Sequence, residues 1–280
     1  MTRETVFLDE MTDPEVAAYL ESGELVLIPT GATEQHGPHG PLGTDVIIPR
    51  EVCRRVASEM GALVAPPLAY GISAGHRGFR GLAYVRPSTF MALVQDLVLS
   101  LAESGFRRIV FINGHYTNFP AINLACFEVH DKLPEGTHAY AMSYWDALRP
   151  EEAEAYLSLS TGLHANIGET SAVMAVRPEL VKLDRAVEGW PNFPDFQGPA
   201  MATIFAYFET RPASTYRSLP EGVWGDPRGS SAELGETYYQ QITAAVRRVI
   251  EDVTAADEPK LLVQGHLTGD EQRLPDSDPV

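Results

Sequence analysis

The apolar positions of this chain follow two different periods, and their order along the sequence predicts a fold. Residues 24–29, with an apolar run from Leu25 to Pro29, and residues 62–66, 108–112 and 137–144 have the length and apolar content of strands. Between them the spacing becomes helical. Asp13 as N-cap and Pro14 at the first helical position precede Val16, Tyr19 and Leu20, which predicts a short first helix. Val52, Val56 and Met60 follow Asp45 at near-helical spacing and stop at Gly61, so a second helix should begin just after Asp45. Phe90, Leu93, Val94, Leu97, Val98 and Leu101 predict a third, capped by Ser88 and ended by Gly105. Further helices are expected at residues 120–132, from His164 through Val176 where Pro178 limits it, and at residues 231–252. Repeated strand, loop and helix units predict an α/β protein: a parallel sheet with helices on both faces and a site at the carboxyl ends of its strands.

Two stretches escape both periods. Residues 70–86 are glycine-rich and basic and read as a loop on the substrate side; residues 188–222 collect prolines and aromatics and read as an irregular excursion. Residues 1–256 are expected to form one domain, and residues 257–280 an extended or disordered tail.

The composition narrows the function. The 280 residues are 44% hydrophobic and carry a formal net charge of −17, an ordinary globular core inside an acidic surface. Such a surface argues against a nucleic-acid partner and leaves a small-molecule substrate as the better fit. No apolar run is long enough for a membrane span and no signal-peptide core is evident, so a cytoplasmic protein is expected. Cys53 and Cys126 lie among apolar neighbours in expected helices, as buried thiols do, so any metal must be held by His, Asp and Glu.

Those residue types gather at the strand ends. Residues 31–45, GATEQHGPHGPLGTD, directly follow the first strand and carry Glu34, His36, His39 and Asp45 in a glycine-rich loop that can bend side chains towards one ion. In an extended tripeptide Glu34 and His36 share a face and Gln35 points away. The third strand ends in Asn113-Gly114-His115-Tyr116-Thr117-Asn118, and HANIGETS brings His164 and Glu169, which can reach one site if Gly168 permits a tight turn. Oxygen and imidazole donors suit zinc or manganese. Two neighbouring ions need a bridging carboxylate, for which Asp45, in the same loop as Glu34 and His36, is the natural candidate. His39 is expected to support the loop from outside the ligand set. His130, His138 and His266 lie outside every motif.

The segments TGATEQHGPHGPLGTD, NGHYTN, SYWD, HANIGETS and GVWGDP together resemble the creatininase (creatinine amidohydrolase) family over residues 26–248. The resemblance implies a three-layer α/β/α sandwich with a mostly parallel central sheet, two divalent ions per chain (Zn²⁺, Mn²⁺ or both) and a homo-oligomer, often a hexamer built from dimers. It implies Glu34 and His115 on one ion, His36 on the other, Asp45 as bridge, His164 as the proton donor or relay, and Trp145 as a cover over the substrate. Tyr116 and His76 complete the candidate substrate contacts, although Trp145 could equally be core and His76 merely solvated. Creatininase has a glutamate ligand where this chain has Thr117, and Glu169 is the expected replacement. It also has a glutamate where this chain has Leu163, and a tryptophan a little upstream, near Ser160. A substrate other than creatinine is therefore expected.

The function expected on these grounds is a binuclear metal-dependent hydrolase of a cyclic amide or a small amide or formamide, with metal-bound hydroxide attacking the carbonyl. Hydrolytic carbon–carbon cleavage of a cyclic diketone or keto-sugar is the alternative. A binding protein that has lost catalysis is the non-enzymatic rival.

Overall fold

The computed structural model describes residues 4–191 and 215–256. Its centre is a four-stranded, all-parallel sheet of β1 (Leu25–Thr30), β2 (Leu63–Val64), β3 (Arg108–Asn113) and β4 (His138–Ser143), in the order β2-β1-β3-β4. The register runs unbroken from Leu25 opposite Arg108 to Thr30 opposite Asn113, and on to Ser143 opposite Asn113. β1 and β3 therefore end side by side.

Successive side chains point to opposite faces, so each central strand feeds two cores. Val26, Ile28, Ile109 and Phe111 pack on one face, and Leu27, Val110 and Ile112 on the other. The first face is covered by α1 (Asp13–Leu20), α3 (Pro87–Glu103) and α4 (Asn118–Val129) through Tyr19, Phe90, Val94, Val98 and Ile122. The second is covered by α2 (Thr44–Met60), α6 (Ile167–Val176) and α7 (Ala232–Ala256) through Ile48, Val52, Val56, Val173, Tyr239 and Ile242. The result is the expected three-layer α/β/α sandwich with a parallel sheet. α5 (Pro150–Tyr156) and a small antiparallel pair, β5 (Gly162–His164) with β6 (Trp224–Gly225), stand beside it.

Several local expectations need correction. The cap of α1 is Thr12 rather than Asp13: the Glu15 carboxylate accepts from the Thr12 backbone N–H at 2.7 Å, closing a capping box. α3 starts one residue before Ser88, with Pro87 in its first turn and Arg86 as N-cap, because proline needs no N–H partner there. The second strand shrinks to two residues, and the predicted helix at 120–132 is α4 followed by a 3₁₀ turn, His130–Lys132. α2 starts at Thr44, so Asp45 lies inside its first turn. Neither α5 nor the β5–β6 pair has a counterpart among the expected elements.

The loop after β2 is irregular as expected, with one 3₁₀ turn at Ala74–His76. Of the expected excursion, residues 192–214 lie outside the described residues, as does the expected tail. Cys53 and Cys126 are buried free thiols. Among the described residues no helix is long and apolar enough to cross a membrane.

Candidate metal centre

Parallel strands that end together place their following loops together, and the site lies there. Two glycines let α2 approach. A Cβ on Gly31 would lie 2.0 Å from the Asp45 carbonyl oxygen, and one on Gly114 would lie 2.7 Å from the same atom. Their lack of side chains seats the first turn of α2 against the ends of β1 and β3, where its free N–H groups favour a carboxylate.

The candidate side chains converge there. Glu34, Asp45 and Glu169 are only 2%, 3% and 6% exposed, and His36, His115, His164 and His76 are buried with them. The two oxygens of Asp45 face different rings: Oδ1 lies 3.1 Å from His36 Nε2 and Oδ2 lies 3.0 Å from His115 Nδ1. Glu34 Oε2 is 3.3 Å from His115 Nδ1, and Glu169 Oε2 is 3.9 Å from His36 Nε2. Three donor groups form, each with its donor atoms within 4.8 Å of one another: Glu34, Asp45 and His115; His36, Asp45 and Glu169; Glu34, His36 and His164.

Three buried carboxylates demand compensating positive charge. Burial alone would lower His36, but the charges of Asp45, Glu169 and Glu34 outweigh it and raise the ring to about 9. Burial would raise Asp45, and His36 and His115 hold it well below the usual carboxylate range instead. Burial, assisted by Asp45, raises Glu169 to about 7 against the pull of His36. His164 and His76 are pushed well below the ordinary histidine range, first by burial and then by neighbouring rings. His36 Nε2 and Asp45 Oδ2 are both buried without a hydrogen bond among the described residues. Buried donors at this spacing, rich in anionic oxygen and including two atoms without a hydrogen bond, are the environment a divalent cation satisfies.

The hydrogen bonds behind the rings agree. His115 Nε2 lies 3.0 Å from the Ile72 carbonyl oxygen, which can only accept, so Nε2 donates there and Nδ1 is the nitrogen turned on the cluster. His164 does the same through Nε2, 2.7 Å from the Gln35 carbonyl oxygen, with Nδ1 facing Glu34 Oε1 at 3.7 Å. The tight turn between His164 and Glu169 is made at Ala165, whose φ of 52° aims its N–H at Glu169 Oε2, 2.7 Å away. Gly168 serves another purpose: a Cβ there would lie 2.2 Å from the Tyr156 carbonyl oxygen.

The other candidates sort clearly. Thr117 Oγ1 touches the far nitrogen of His115 at 2.8 Å, behind the ring and outside the three donor groups. His39 also lies outside them, bonded to Thr170 Oγ1 at 3.0 Å, with burial and His36 lowering it to about 4. Trp145 is half-buried against the core and Tyr116 is exposed, and both line the cavity over the cluster. His76 is buried beside Glu34, its Nε2 3.4 Å from Oε1, rather than solvated in a loose loop. The cavity encloses about 160 Å³, and Leu157, Leu163 and Tyr216 complete its apolar wall.

Sequence reasoning missed Leu157 and Tyr216 of the wall and, behind the rings, Gln35. It does not point away from the site but is buried and lies behind His76 and His164. β1 stops at Thr30, so the extended-strand alternation no longer governs residues 34–36.

A protein-family model described as creatininase, creatinine amidohydrolase, matches residues 9–250. The chain belongs to the creatininase family of amidohydrolases. It is 34% identical over 248 residues to the creatinine amidohydrolase of Pseudomonas putida, covering 83% of this chain and 91% of that protein. It is 32% identical to a mycofactocin precursor peptide peptidase of Mycobacterium ulcerans, covering 78% and 80%. It is 25% identical to a 3-dehydro-scyllo-inosose hydrolase of Thermotoga maritima, covering 89% and 83%. Among solved structures, a manganese creatininase superposes with a TM-score of 0.75 at 31% identity, covering 89% of this chain and 99% of that one. A mutant creatininase of Zn-Zn type also gives 0.75 at 31% identity, covering 90% and 99%.

Proposed function

We propose that this creatininase-family enzyme is a binuclear metal-dependent hydrolase that cleaves the C–N bond of a small amide, cyclic or linear. The observation that carries the reading is Asp45, whose two oxygens face His115 and His36 on opposite sides at 3.0 and 3.1 Å. Glu34, Asp45 and His115 would hold one ion and His36, Asp45 and Glu169 the other, with Glu169 supplying the donor that Thr117 does not. Zinc and manganese suit the donor set, and creatininase structures with each are similar to this chain. Bound there, divalent ions supply an acidified water and a polarised carbonyl oxygen.

The protein's own residues supply the rest. His164 Nδ1, unprotonated at rest and facing the cluster, takes a proton from the attacking water as the C–O bond forms. It returns that proton to the nitrogen as the C–N bond breaks, giving a carboxylic acid and an amine. Asp45 and Glu34 keep the reacting centre in place, each held by the pull of adjacent rings. Trp145, Leu157, Leu163 and Tyr216 exclude water above it and favour an uncharged, partly apolar substrate, with Tyr116 at the exposed rim.

Hydrolysis of a carbon–carbon bond in a cyclic diketone or keto-sugar is the second reading, favoured by the similarity to the Thermotoga hydrolase. The test is metal content by mass spectrometry, followed by a screen of cyclic amides, small linear amides, formamides and cyclic diketones with zinc or manganese. About two ions per chain and turnover of an amide are expected, with His164→Asn abolishing turnover while retaining both ions. Turnover of diketones alone would establish the second reading. A protein that binds no metal after reconstitution would overturn both.

A further inference from the structure

Gln35 sits where the two cavity histidines meet, and its backbone partners fix the orientation of its amide. Its Oε1 lies 2.8 Å from the Gly37 N–H, a donor only, and its Nε2 lies 3.1 Å from the Gly222 carbonyl oxygen, an acceptor only. Turning the amide over would oppose donor to donor and acceptor to acceptor, so the orientation is fixed by its surroundings. The cradle is built from backbone: Gly37 and Gly222 both have positive φ, at 64° and 77°, and a Cβ on Gly222 would lie 2.6 Å from Nε2.

The amide nitrogen has two hydrogens and three close neighbours. These are the Gly222 oxygen at 3.1 Å, His76 Nδ1 at 3.1 Å and His164 Nε2 at 3.0 Å. His164 Nε2 also lies 2.7 Å from the Gln35 carbonyl oxygen, a contact that needs a hydrogen between the two atoms, and only the ring can provide it. The two amide hydrogens therefore go to Gly222 and His76. His76 accepts at Nδ1 and carries its proton on Nε2, 3.4 Å from Glu34 Oε1, while His164 carries its proton on Nε2 and faces Glu34 Oε1 with Nδ1 bare.

We infer that Gln35 is a positioning residue that sets opposite hydrogen-bonding roles on the two rings facing Glu34, a donor at His76 and an acceptor at His164. Its backbone carbonyl fixes His164 and its side chain fixes His76. The role in turnover rests on the hydrolase reading: with His164 as the proton acceptor, a donating His76 holds Glu34 without competing for the same proton. The assignment of tautomers stands apart from that reading.

Solid-state ¹⁵N NMR of zinc-loaded protein with ring-¹⁵N histidine tests the inference, with His76→Asn and His164→Asn used to assign signals and zinc content measured on the same samples. In the wild-type protein both rings should show a protonated Nε2 and an unprotonated Nδ1. Gln35→Glu replaces the donor by an acceptor, so the proton of His76 should move to Nδ1, shifting both of its nitrogen signals to the opposite range while His164 keeps its pattern. Gln35→Met removes the donor with little change of volume and should leave His76 as a mixture of tautomers, which covers the case in which Gln35→Glu does not fold. A wild-type His76 or His164 protonated on Nδ1, or a His76 that stays protonated on Nε2 alone in either variant, would overturn the inference. Failure to take up zinc bears on the hydrolase reading alone, because the ring signals remain readable.

Discussion

The two walls of the site are built on different kinds of support. One wall, with Glu34, His36, Asp45 and His115, leaves the ends of β1 and β3 and the first turn of α2, all anchored in cores with fully buried Leu27, Ile28, Val110, Phe111 and Ile48. The opposite wall, residues 157–169, runs from the small β5–β6 pair through Ala165, a non-glycine residue in the left-handed region, into the first turn of α6. The first wall is fixed by the same packing that makes the fold. The second carries Leu157, Leu163, His164 and Glu169, the side chains that shape the cavity and complete the donor set. It also holds Leu163, where the family resemblance implies a departure from creatininase, and Glu169, which on the proposed reading would stand in for the donor absent at Thr117. On the proposed reading, the difference separates what would hold metal from what would select a substrate.

The largest effect should come from the anchored wall. Asp45→Asn keeps shape and helix but removes the charge whose two oxygens face both His36 and His115. Losing one partner from a buried charge cluster costs about 3–5 kcal/mol, so affinity for both ions should fall by about 10²- to several 10³-fold. Calorimetric zinc titration checks this. Loss of only one ion would show that Asp45 does not bridge, and the two walls would then hold metal independently.

Glu169→Gln probes the opposite wall with a smaller expected result. The amide oxygen can still accept from the Ala165 N–H, now 2.7 Å from the carboxylate, so the turn should survive. One ion should weaken by more than about 100-fold while the other stays bound, since direct ligands outweigh supporting residues whose loss costs about 10- to 100-fold. Retention of both ions at full affinity would remove Glu169 from the donor set.

The same division explains what was legible in the sequence. The apolar runs of β1 and β3 and the helical spacing of α2 and α3 specify the layers, because strands buried on both faces must be apolar throughout. Glu34, His36, Asp45 and His115 follow those runs directly and could be read from chemistry and position. Gln35, the burial of His76 beside Glu34 and the β5–β6 pair could not. Their positions come from contacts between segments far apart in the chain, such as Gln35 with Gly222, and a two- or three-residue strand leaves no period to detect. Gly168 looked like the hinge because glycine is the usual turn residue, yet its small size serves packing against Tyr156. Nothing local to Ala165 announces a left-handed conformation.

The smallest effect concerns that turn. In the left-handed region a Cβ meets the following carbonyl oxygen, a penalty of about 1–2 kcal/mol that glycine does not suffer. Ala165→Gly removes it but gives the unfolded chain more freedom, which offsets about 0.4–1 kcal/mol. Ala165 is buried at 1% exposure, so the lost methyl contacts take back a further part, about 0.8 kcal/mol per buried carbon group. The net change should lie within about 1 kcal/mol of zero, a shift in Tm of no more than about 2–4 °C in a protein of this size. Metal affinity separates the contributions: the more permissive glycine lets the N–H that holds Glu169 wander, so the ion beside Glu169 should weaken slightly even where Tm is unchanged. A variant that melts at the wild-type temperature and binds both ions as the wild type does would show that the second wall is as firmly held as the first, which would erase the distinction between them.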